Sequence, residues 1–307
     1  MINQQNLELF YDVINESIYK LYEFTKEDYF TLIINSCKNI ISNSVNQSVS
    51  EEQEEELMQI YAKLEDIDFK VEEVRKALQA VVLQGCKEKG LKTGEITPDT
   101  LGIFLSYLIT KFQKDDKRRI KILDPVIGSS NLICALNNHL EIDLDLYGIE
   151  NNPIMLEIAQ VFSRLQNIDL NLYLQDSLDI NIKDCDYVIG DFPAYKTEND
   201  TYFDMDCILH HRNSLKDDGY MLCIISNDFF YRDKENIFKK ELLNNMSIVG
   251  LIELPKNIFK ENAKSILILQ KNTKKHNCLL VELPDFNNAD KFSQTLKTIE
   301  MWFKNQK

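Results

Sequence analysis

The stretch Lys121-Ile-Leu-Asp-Pro-Val-Ile-Gly-Ser-Ser-Asn-Leu132 carries the most informative local pattern of this chain. It reads as a buried strand that ends on an acidic residue, followed by a turn with one glycine and the start of a helix. Tyr187-Val-Ile-Gly-Asp-Phe-Pro-Ala-Tyr195 repeats the strand, the acid and the turn, with a proline and an aromatic residue added. Open α/β sheets bind their ligands at the carboxyl ends of parallel strands. The two stretches together therefore predict a cofactor cleft.

From about residue 119 onwards, short runs with β character alternate with helical patterns. This alternation indicates an α/β fold with a mostly parallel sheet and right-handed crossovers. We predict seven strands, at 120–124, 145–149, 170–174, 186–190, 220–226, 247–252 and 265–270. The last two are joined by a segment with little helical pattern, so the final strand is expected to run antiparallel. The run 278–283 is a candidate extension of the sheet edge, and a last helix is expected over 288–304.

The N-terminal part of the chain has apolar residues at helical spacing and little β pattern, which predicts a domain of packed helices. Thr25 is expected to be the N-cap of the second helix, and Ser50 with Gln53 fits a capping box for the third. We therefore predict a helical domain over 1–92 and an α/β domain over 93–307.

The bulk composition excludes several classes of protein. With 49 acidic and 35 basic residues the net charge is -14, whereas proteins that hold nucleic acid unaided usually show a basic face. The chain has no apolar run near the ~18 residues that a membrane span needs, and its N-terminus does not resemble a secretory signal. The seven cysteines contain no CxxC pair, and the four histidines make no metal spacing with them. We expect a cytoplasmic protein with reduced thiols, no membrane partner and no metal site.

The first loop limits the choice of cofactor. Asp124 ends a strand, and Gly128 lies in the turn before a helix that starts near Ser130. Glycine allows the backbone to approach a ligand closely. A dinucleotide site would need the pattern GxGxxG, and the single glycine here disfavours NAD and an oxidoreductase. A cofactor without pyrophosphate fits the loop, and so does a plain strand–turn–helix connection.

Two more acids follow predicted strands. Glu150 is placed to accept hydrogen bonds from the two hydroxyls of a ribose, or alternatively to stabilise the next helix. Asn151 or Asn152 can cap that helix, which Pro153 opens. Asp176 could accept a hydrogen bond from an adenine amino group or act as a turn residue. Acids at three successive strand ends favour a shared binding role over coincidence.

The fourth loop is Gly190-Asp191-Phe192-Pro193-Ala-Tyr195. Asp191 can accept a hydrogen bond from an exocyclic amine, and Tyr195 or Phe192 can stack on a flat base. A proline turn with packed aromatic side chains is the alternative interpretation of the same residues.

In order and spacing these motifs resemble those of class I S-adenosylmethionine-dependent methyltransferases. Within that class the chain most resembles the N6-adenine DNA methyltransferases, especially the modification subunits of type I restriction systems and their small stand-alone bacterial relatives. The resemblance covers roughly residues 70–285. Asp124-Pro-Val-Ile-Gly-Ser-Ser-Asn-Leu132 is similar to the family's Asp-Pro-x-x-Gly-(Thr/Ser)-Gly-x-(Leu/Phe). Leu254-Pro-Lys-Asn-Ile-Phe259 and the late strand Ala263–Lys271 are similar to the motif most particular to the type I-like branch.

The resemblance implies S-adenosylmethionine as the cofactor, in a Rossmann-like sheet. The stretch Lys92-Thr-Gly-Glu-Ile-Thr-Pro-Asp-Thr100 resembles the family's Thr-Pro motif, which contacts the methionine end of the cofactor. The cofactor-binding residues carried over are Thr97, Pro98, Asp124, Pro125, Gly128, Ser129, Asn131, Glu150, Asn151, Asp176 and Ser177. The catalytic residues carried over are Asp191, Phe192, Pro193 and Tyr195. The implied reaction is direct methyl transfer without a metal, with Asp191 and a neighbouring carbonyl orienting the amine.

This sequence departs from the family pattern at two loops. Ser130 stands where the first loop has its second glycine, and the catalytic (Asn/Asp)-Pro-Pro-(Tyr/Phe) becomes Asp191-Phe-Pro-Ala194, with Tyr195 one place late. These departures predict an N-methyltransferase with weak or lost DNA methylation. The alternative is a catalytically inactive methyltransferase-like binding or assembly protein.

The chain also has no stretch long enough for a separate target-recognition domain. DNA or another nucleic acid is therefore expected as a partner that the chain binds weakly alone. A protein partner or a homodimer through the helical domain is also expected.

Overall fold

The computed structural model describes residues 2–90, 97–113, 118–259, 263–272 and 277–305. The chain forms two compact units. The first consists of Met1–Ile103, Ile127–Glu141 and Glu150–Leu174, and the second of Phe104–Val126, Ile142–Ile149 and Gln175–Lys307.

The first unit is mainly helical. Four helices come from the N-terminal part of the chain: α1 (Gln4–Thr25), α2 (Tyr29–Ser42), α3 (Glu51–Tyr61) and α4 (Val71–Glu88). Two more come from later in the chain: α6 (Asn131–Asn137) and α7 (Pro153–Leu165). Their apolar stripes face inward, and Ile14, Leu78 and Ile158 are among the fully buried residues of this core.

The helix caps test two local predictions. Ser50 and Gln53 form the predicted capping box at the start of α3. Thr25 is not the N-cap of the second helix, because α1 continues to that residue. The N-cap is Asp28, whose carboxylate accepts a hydrogen bond from the Phe30 backbone N–H at 3.0 Å. A carboxylate directly before a helix caps it as well as a threonine hydroxyl does, so residue type alone does not distinguish Asp28 from Thr25.

The sheet has eight strands, so the predicted α/β class is confirmed and the predicted number of seven is wrong. In chain order they are β1 (Ile120–Asp124), β2 (Leu144–Glu150), β3 (Leu170–Leu174), β4 (Cys185–Asp191), β5 (Leu215–Ser226), β6 (Met246–Glu253), β7 (Lys264–Lys271) and β8 (Leu279–Glu282). The additional strand, β8, lies at the edge of the sheet and pairs in parallel with β6. It falls within 278–283, so the predicted extension of the sheet edge is confirmed. It is only four residues long with one buried position, which gives it a weaker sequence pattern than the other strands.

The strand order is β3-β2-β1-β4-β5-β7-β6-β8. Strand β1 runs parallel to both β2 and β4, and β4 runs parallel to β5. Strand β7 is antiparallel to β5 and β6, as predicted. The chain order reverses between β1 and β4, which end on Asp124 and Asp191. Such a switch point is where open α/β sheets bind their ligands.

The remaining helices are α5 (Asp99–Phe112), α8 (Phe203–His211), α9 (Phe229–Arg232), α10 (Ile237–Leu243) and α11 (Ala289–Asn305). In the second unit, the core around β4 and β5 includes Val188, Phe192 and Cys223. All seven cysteines are free thiols, and six of them are buried. Among the described residues, none of the helices combines the length and the apolar character required to cross a membrane.

Candidate functional site

In the first unit, Glu150 ends β2 with its carboxylate held by the main chain on both sides. Its Oε2 accepts a hydrogen bond from the Gly128 N–H at 3.0 Å, and its Oε1 accepts one from the Asn152 N–H at 2.9 Å. Asn152 is itself the N-cap of α7, where Pro153 takes the first helical position. The neighbouring Asn151 is exposed. The carboxylate therefore has a fixed direction, and each of its oxygens can accept a further hydrogen bond.

The turn from Gly128 to Ser130 carries one of the two N–H groups that hold Glu150. Gly128 has φ +53°, a conformation that favours glycine, and nothing lies within 4 Å of the position that a Cβ would occupy. Ser130 has φ +65°, so it adopts the conformation expected of the glycine that it replaces in the family pattern. Ser129 lies between them and is partly exposed. The backbone of the turn thus keeps the glycine geometry although the residue has changed.

Thr97 and Asn131 are both buried and are joined by a hydrogen bond. The Asn131 Nδ2 donates to the Thr97 carbonyl oxygen at 3.1 Å, and Pro98 follows immediately before α5. The Asn131 Oδ1 accepts from Arg75 of α4 at 2.7 Å. The rest of the Thr-Pro motif, residues 92–96, lies outside the described residues. Arg75 is not predicted from the sequence, where its only distinguishing feature is a charge beside the apolar stripe of α4.

In the second unit, the ends of β1 and β4 approach each other closely. Asp124 is 2% exposed, and its Oδ1 accepts a hydrogen bond from the Val126 N–H at 3.1 Å. A Cβ on Gly190 would lie 3.3 Å from the same oxygen, so a glycine suits this position of β4. Pro125, which lies between Asp124 and Val126 in the chain, is also buried. The geometry places Asp124 inside the protein, next to the strand that carries Asp191.

Asp191 forms an ion pair that the sequence does not predict. Lys264, the first residue of β7, donates from its Nζ to the Asp191 Oδ1 at 2.5 Å. The two side chains are 17% and 8% exposed, respectively, and the ammonium group also lies 4.6 Å from the centre of the Phe259 ring. One of the two oxygens of the Asp191 carboxylate therefore already accepts a hydrogen bond from a cation.

The two aromatic residues of the loop after β4, Phe192 and Tyr195, have different environments. Phe192 is 2% exposed and packs in the core, so we exclude it as a ring that stacks on an acceptor. Tyr195 is 49% exposed, and its ring stacks on Phe203 with centroids 4.8 Å apart. Partial burial, and then the negative charge of Asp176, raise the pKa of the Tyr195 phenol. Pro193 is exposed.

Asp176 and Ser177 follow β3, and their side chains have different environments. Asp176 is exposed, and its Oδ1 accepts a hydrogen bond from the Leu178 N–H at 2.8 Å, which makes it a turn residue as well as a candidate ligand. The buried Ser177 hydroxyl is 3.0 Å from the His211 Nε2. Burial, and then the neighbouring His210, lower the pKa of His211 to about 3. The Ser177 hydroxyl is therefore occupied inside the protein.

The segment that follows Tyr195 is anchored by a second buried ion pair. Asp204 of α8 is fully buried and receives two hydrogen bonds from Arg232, at 3.0 and 2.6 Å. The guanidinium group also lies 4.5 Å from the centre of the Tyr202 ring.

Among the described residues, no group of three or more His, Cys, Asp and Glu side chains could hold a metal ion.

Two family models match the chain. Residues 81–305 match the N-6 DNA Methylase family, and residues 8–86 match the YtxK N-terminal helical domain. The protein YtxK of Bacillus subtilis (strain 168) is 32% identical over 274 residues, which cover 81% of this chain and 83% of that protein.

Solved structures extend the likeness to the whole fold. A Listeria monocytogenes crystal structure, assigned to the class I S-adenosylmethionine-dependent methyltransferases, is 26% identical with a TM-score of 0.89, covering 98% of this chain and all of that one. The type I restriction-modification methyltransferase subunit of Streptococcus thermophilus shares the fold, at 14% identity and a TM-score of 0.67, over 94% of this chain and 74% of that one. With the matching model spanning most of its length, this chain belongs to the N-6 DNA methylase family.

Proposed function

We propose that this chain binds S-adenosylmethionine and transfers the methyl group to an amino group of a planar acceptor. The observation that carries the proposal is the Glu150 carboxylate, held at the end of β2 by the N–H groups of Gly128 and Asn152. A carboxylate fixed in this way is suited to accept hydrogen bonds from two vicinal ribose hydroxyls. The open space above Gly128 leaves the backbone accessible to a ligand.

The other cofactor contacts in the proposal follow the family motifs residue by residue. Thr97 and Pro98 would contact the methionine end, and Asp176 the adenine amino group. The remaining contacts are assigned to Asp124, Pro125, Ser129, Asn131 and Asn151. Ser177 would contribute through its backbone, because its hydroxyl group already forms a hydrogen bond with His211. The cofactor supplies an electrophilic methyl group on a sulfonium, so the protein's task is to bind and orient the acceptor.

In the proposed reaction, Asp191 accepts a hydrogen bond from the acceptor amine and Tyr195 offers the stacking surface. One face of the Tyr195 ring packs on Phe203, and the half-exposed side chain can present its other face to a planar acceptor. Because Lys264 already donates to Asp191, we expect slow methylation of adenine. Membership of the methylase family favours this enzymatic function over the alternative, a catalytically inactive binding or assembly protein.

DNA is the acceptor class that the family supports, and we expect the chain alone to bind it weakly. The net charge of -14 opposes contact with phosphates. Binding should weaken steeply with salt, with a slope of about -0.9 in log affinity per neutralised phosphate. A protein partner or a second copy, bound through the helical domain, would contribute to recognition of the DNA.

The matches at 8–86 and 81–305 support the proposed division into a helical domain, 1–92, and a methyltransferase domain, 93–307. A cytoplasmic location belongs to the same proposal and is supported by seven free thiols.

Titration calorimetry with S-adenosylhomocysteine tests the cofactor site. We expect Glu150→Ala to bind roughly 10–100-fold more weakly than the wild type, since the ribose hydroxyls lose their charged acceptor. Glu157→Ala is the matched control, because Glu157 lies on α7 and pairs with Lys38 at the surface. A wild-type chain that binds no cofactor at millimolar concentration would overturn the proposal. Unchanged affinity in folded Glu150→Ala would remove that residue from the site.

Methyl transfer is tested separately, with tritiated S-adenosylmethionine and unmethylated genomic DNA. We expect slow incorporation that Asp191→Ala abolishes. Fast incorporation lost in Asp191→Ala would show that the altered loop is fully competent. Incorporation that persists in Asp191→Ala would show that this carboxylate does not orient the amine.

A further inference from the structure

Arg75 of α4 is one of the largest fully buried side chains, at 2% exposure. Its Nη1 donates to the Asp99 Oδ1 at 2.9 Å and to the Asn131 Oδ1 at 2.7 Å. Its Nε and Nη2 donate to the two carboxylate oxygens of Glu72, at 2.7 and 2.9 Å. Asn138 donates in turn to Glu72 at 2.8 Å. The guanidinium group therefore binds two carboxylates and one amide inside the first unit.

The contact with Asn131 determines which way that amide faces. A guanidinium group can only donate hydrogen bonds, so the atom of Asn131 that faces Arg75 must be the acceptor, Oδ1. The Nδ2 is then directed to the Thr97 carbonyl oxygen, 3.1 Å away. Arg75 thus selects one of the two amide orientations and, through it, fixes the backbone of Thr97.

We propose that Arg75 is a positioning residue of the cofactor site, acting through Asn131 on Thr97. The inference rests on the proposed function, which assigns Thr97 and Asn131 to cofactor binding. Arg75 belongs to α4 of the N-terminal helices, so cofactor affinity depends on a side chain that does not touch the cofactor. Lysine cannot replace it, because an ammonium group lacks the rigid fork that reaches Glu72, Asp99 and Asn131 together.

Two substitutions in the full chain test the inference by calorimetry with S-adenosylhomocysteine. Arg75→Lys keeps the charge but loses the fork, and we expect about tenfold weaker binding. Asn131→Asp keeps the acceptor for Arg75 but replaces the donor to Thr97 with an oxygen. We expect Asn131→Asp to bind about tenfold more weakly and to melt at a lower temperature than the wild type, since the new carboxylate oxygen faces the Thr97 carbonyl oxygen.

Glu73→Gln is the control for a purely structural effect. Glu73 is buried two residues before Arg75 on the same helix, and its carboxylate accepts hydrogen bonds from the backbone N–H groups of Asn3 and Lys70. We expect this variant to lower the melting temperature and to leave the affinity within about twofold of the wild type. Hydrogen exchange of the unliganded protein gives an independent readout, with faster exchange at residues 97–103 in Arg75→Lys but not in Glu73→Gln.

The outcomes separate the two levels of the proposal. A wild type that binds no S-adenosylhomocysteine would refute the proposed function and this inference with it. A wild type that binds, together with wild-type affinity in Asn131→Asp, would refute the inference alone. If Arg75→Lys does not fold, hydrogen exchange at residues 97–103 in unliganded Asn131→Asp decides the question, because this readout does not depend on a contact between Asn131 and the cofactor. Exchange as slow as in the wild type would refute the inference.

Discussion

Glu150 and Asp191 are both acids at the carboxyl end of a strand in the same sheet, but they are held in opposite ways. Two neutral main-chain N–H groups from neighbouring turns hold Glu150. A charged side chain, Lys264, holds Asp191. Main-chain donors fix a carboxylate without neutralising it, whereas Lys264 brings a full positive charge to within 2.5 Å of one oxygen of Asp191. In the proposed site, the acid assigned to the cofactor is therefore held by the main chain, and the acid assigned to the acceptor is paired with a cation.

The same contrast extends to the surroundings of each acid. The segment 191–203, which we call the reaction loop, leads into α8 with its buried Asp204–Arg232 pair. Near the end of α8, His211 is buried next to Ser177. Ionisable groups thus support the reaction loop, while turns and helix caps support Glu150. Perturbing these groups should damage the two regions differently.

The largest expected effect is the loss of the buried ion pair behind the reaction loop. Arg232→Met leaves the fully buried Asp204 carboxylate without its guanidinium partner, and we expect a loss of about 3–5 kcal/mol in the free energy of unfolding. Urea denaturation followed by circular dichroism measures it. Arg119→Met is the control, because Arg119 pairs at the surface and should contribute less than about 1 kcal/mol. Equal losses in both variants would contradict a structural role for the buried pair.

Acid should weaken the protein through His211. Its pKa is about 3 in the folded protein against a usual 6.5, so the unfolded chain binds the extra proton between these values. Stability from this group is therefore complete above about pH 6.5 and falls as the pH is lowered towards 3. Between pH 7 and pH 5 the loss should be about 2 kcal/mol.

His211→Gln removes the titrating group and isolates this effect from the other ionisable groups. The difference in unfolding free energy between pH 7 and pH 5 should be about 2 kcal/mol smaller in the variant than in the wild type. Identical pH profiles would show that His211 is protonated without difficulty in the folded protein.

The sequence predicted those parts of the molecule whose geometry is set locally. The capping box at Ser50, the antiparallel strand β7 and the acid at the end of β2 each depend on a short run of residues. Glu150 in particular is positioned by Gly128 and Asn152, which lie in the turns that directly follow β1 and β2.

The rest of the candidate site depends on contacts between residues far apart in the chain. Arg75 reaches Asn131, and Lys264 reaches Asp191, and neither pairing has a local pattern. Phe192 has the composition of a stacking residue but packs in the core, because alternate residues of an extended segment face opposite sides. These contacts require the three-dimensional arrangement, which spacing along the sequence does not give.

Lys264→Met tests whether the ion pair slows the reaction. Methyl transfer builds positive charge on the amine, and a neighbouring ammonium group opposes that charge. We expect methyl incorporation into DNA to rise by about tenfold, equivalent to ~1.4 kcal/mol in the barrier. Lys271→Met is the control, at the other end of β7, where the lysine donates to the Leu215 carbonyl oxygen. A lower rate in Lys264→Met alone would show that the lysine orients Asp191 productively.

The smallest effect concerns Ser130, on the Glu150 side of the comparison. Ser130 holds a glycine-type backbone conformation, φ +65°, which is unfavourable for a side chain by roughly 1 kcal/mol or more. Its hydroxyl contacts are long, 3.4 Å to the Ala159 carbonyl oxygen and 3.5 Å to the Cys134 Sγ. Ser130→Ala and Ser130→Gly both remove the hydroxyl, so the difference between them isolates the backbone. We expect Ser130→Gly to be the more stable by about 1 kcal/mol in urea denaturation, partly offset by the greater freedom of glycine in the unfolded chain.

The same pair of substitutions at Ser163 should give the opposite sign. Ser163 is also buried but lies within the right-handed helix α7, where glycine is less stable than alanine by about 1 kcal/mol. Alanine more stable than glycine at both positions would mean that the turn at Ser130 is not strained. Opposite signs would show that the chain retains a strained backbone at this turn. That result fits a turn whose main-chain geometry matters more than the identity of its residues, in contrast to the reaction loop, where the side chain of Asp191 is paired with Lys264.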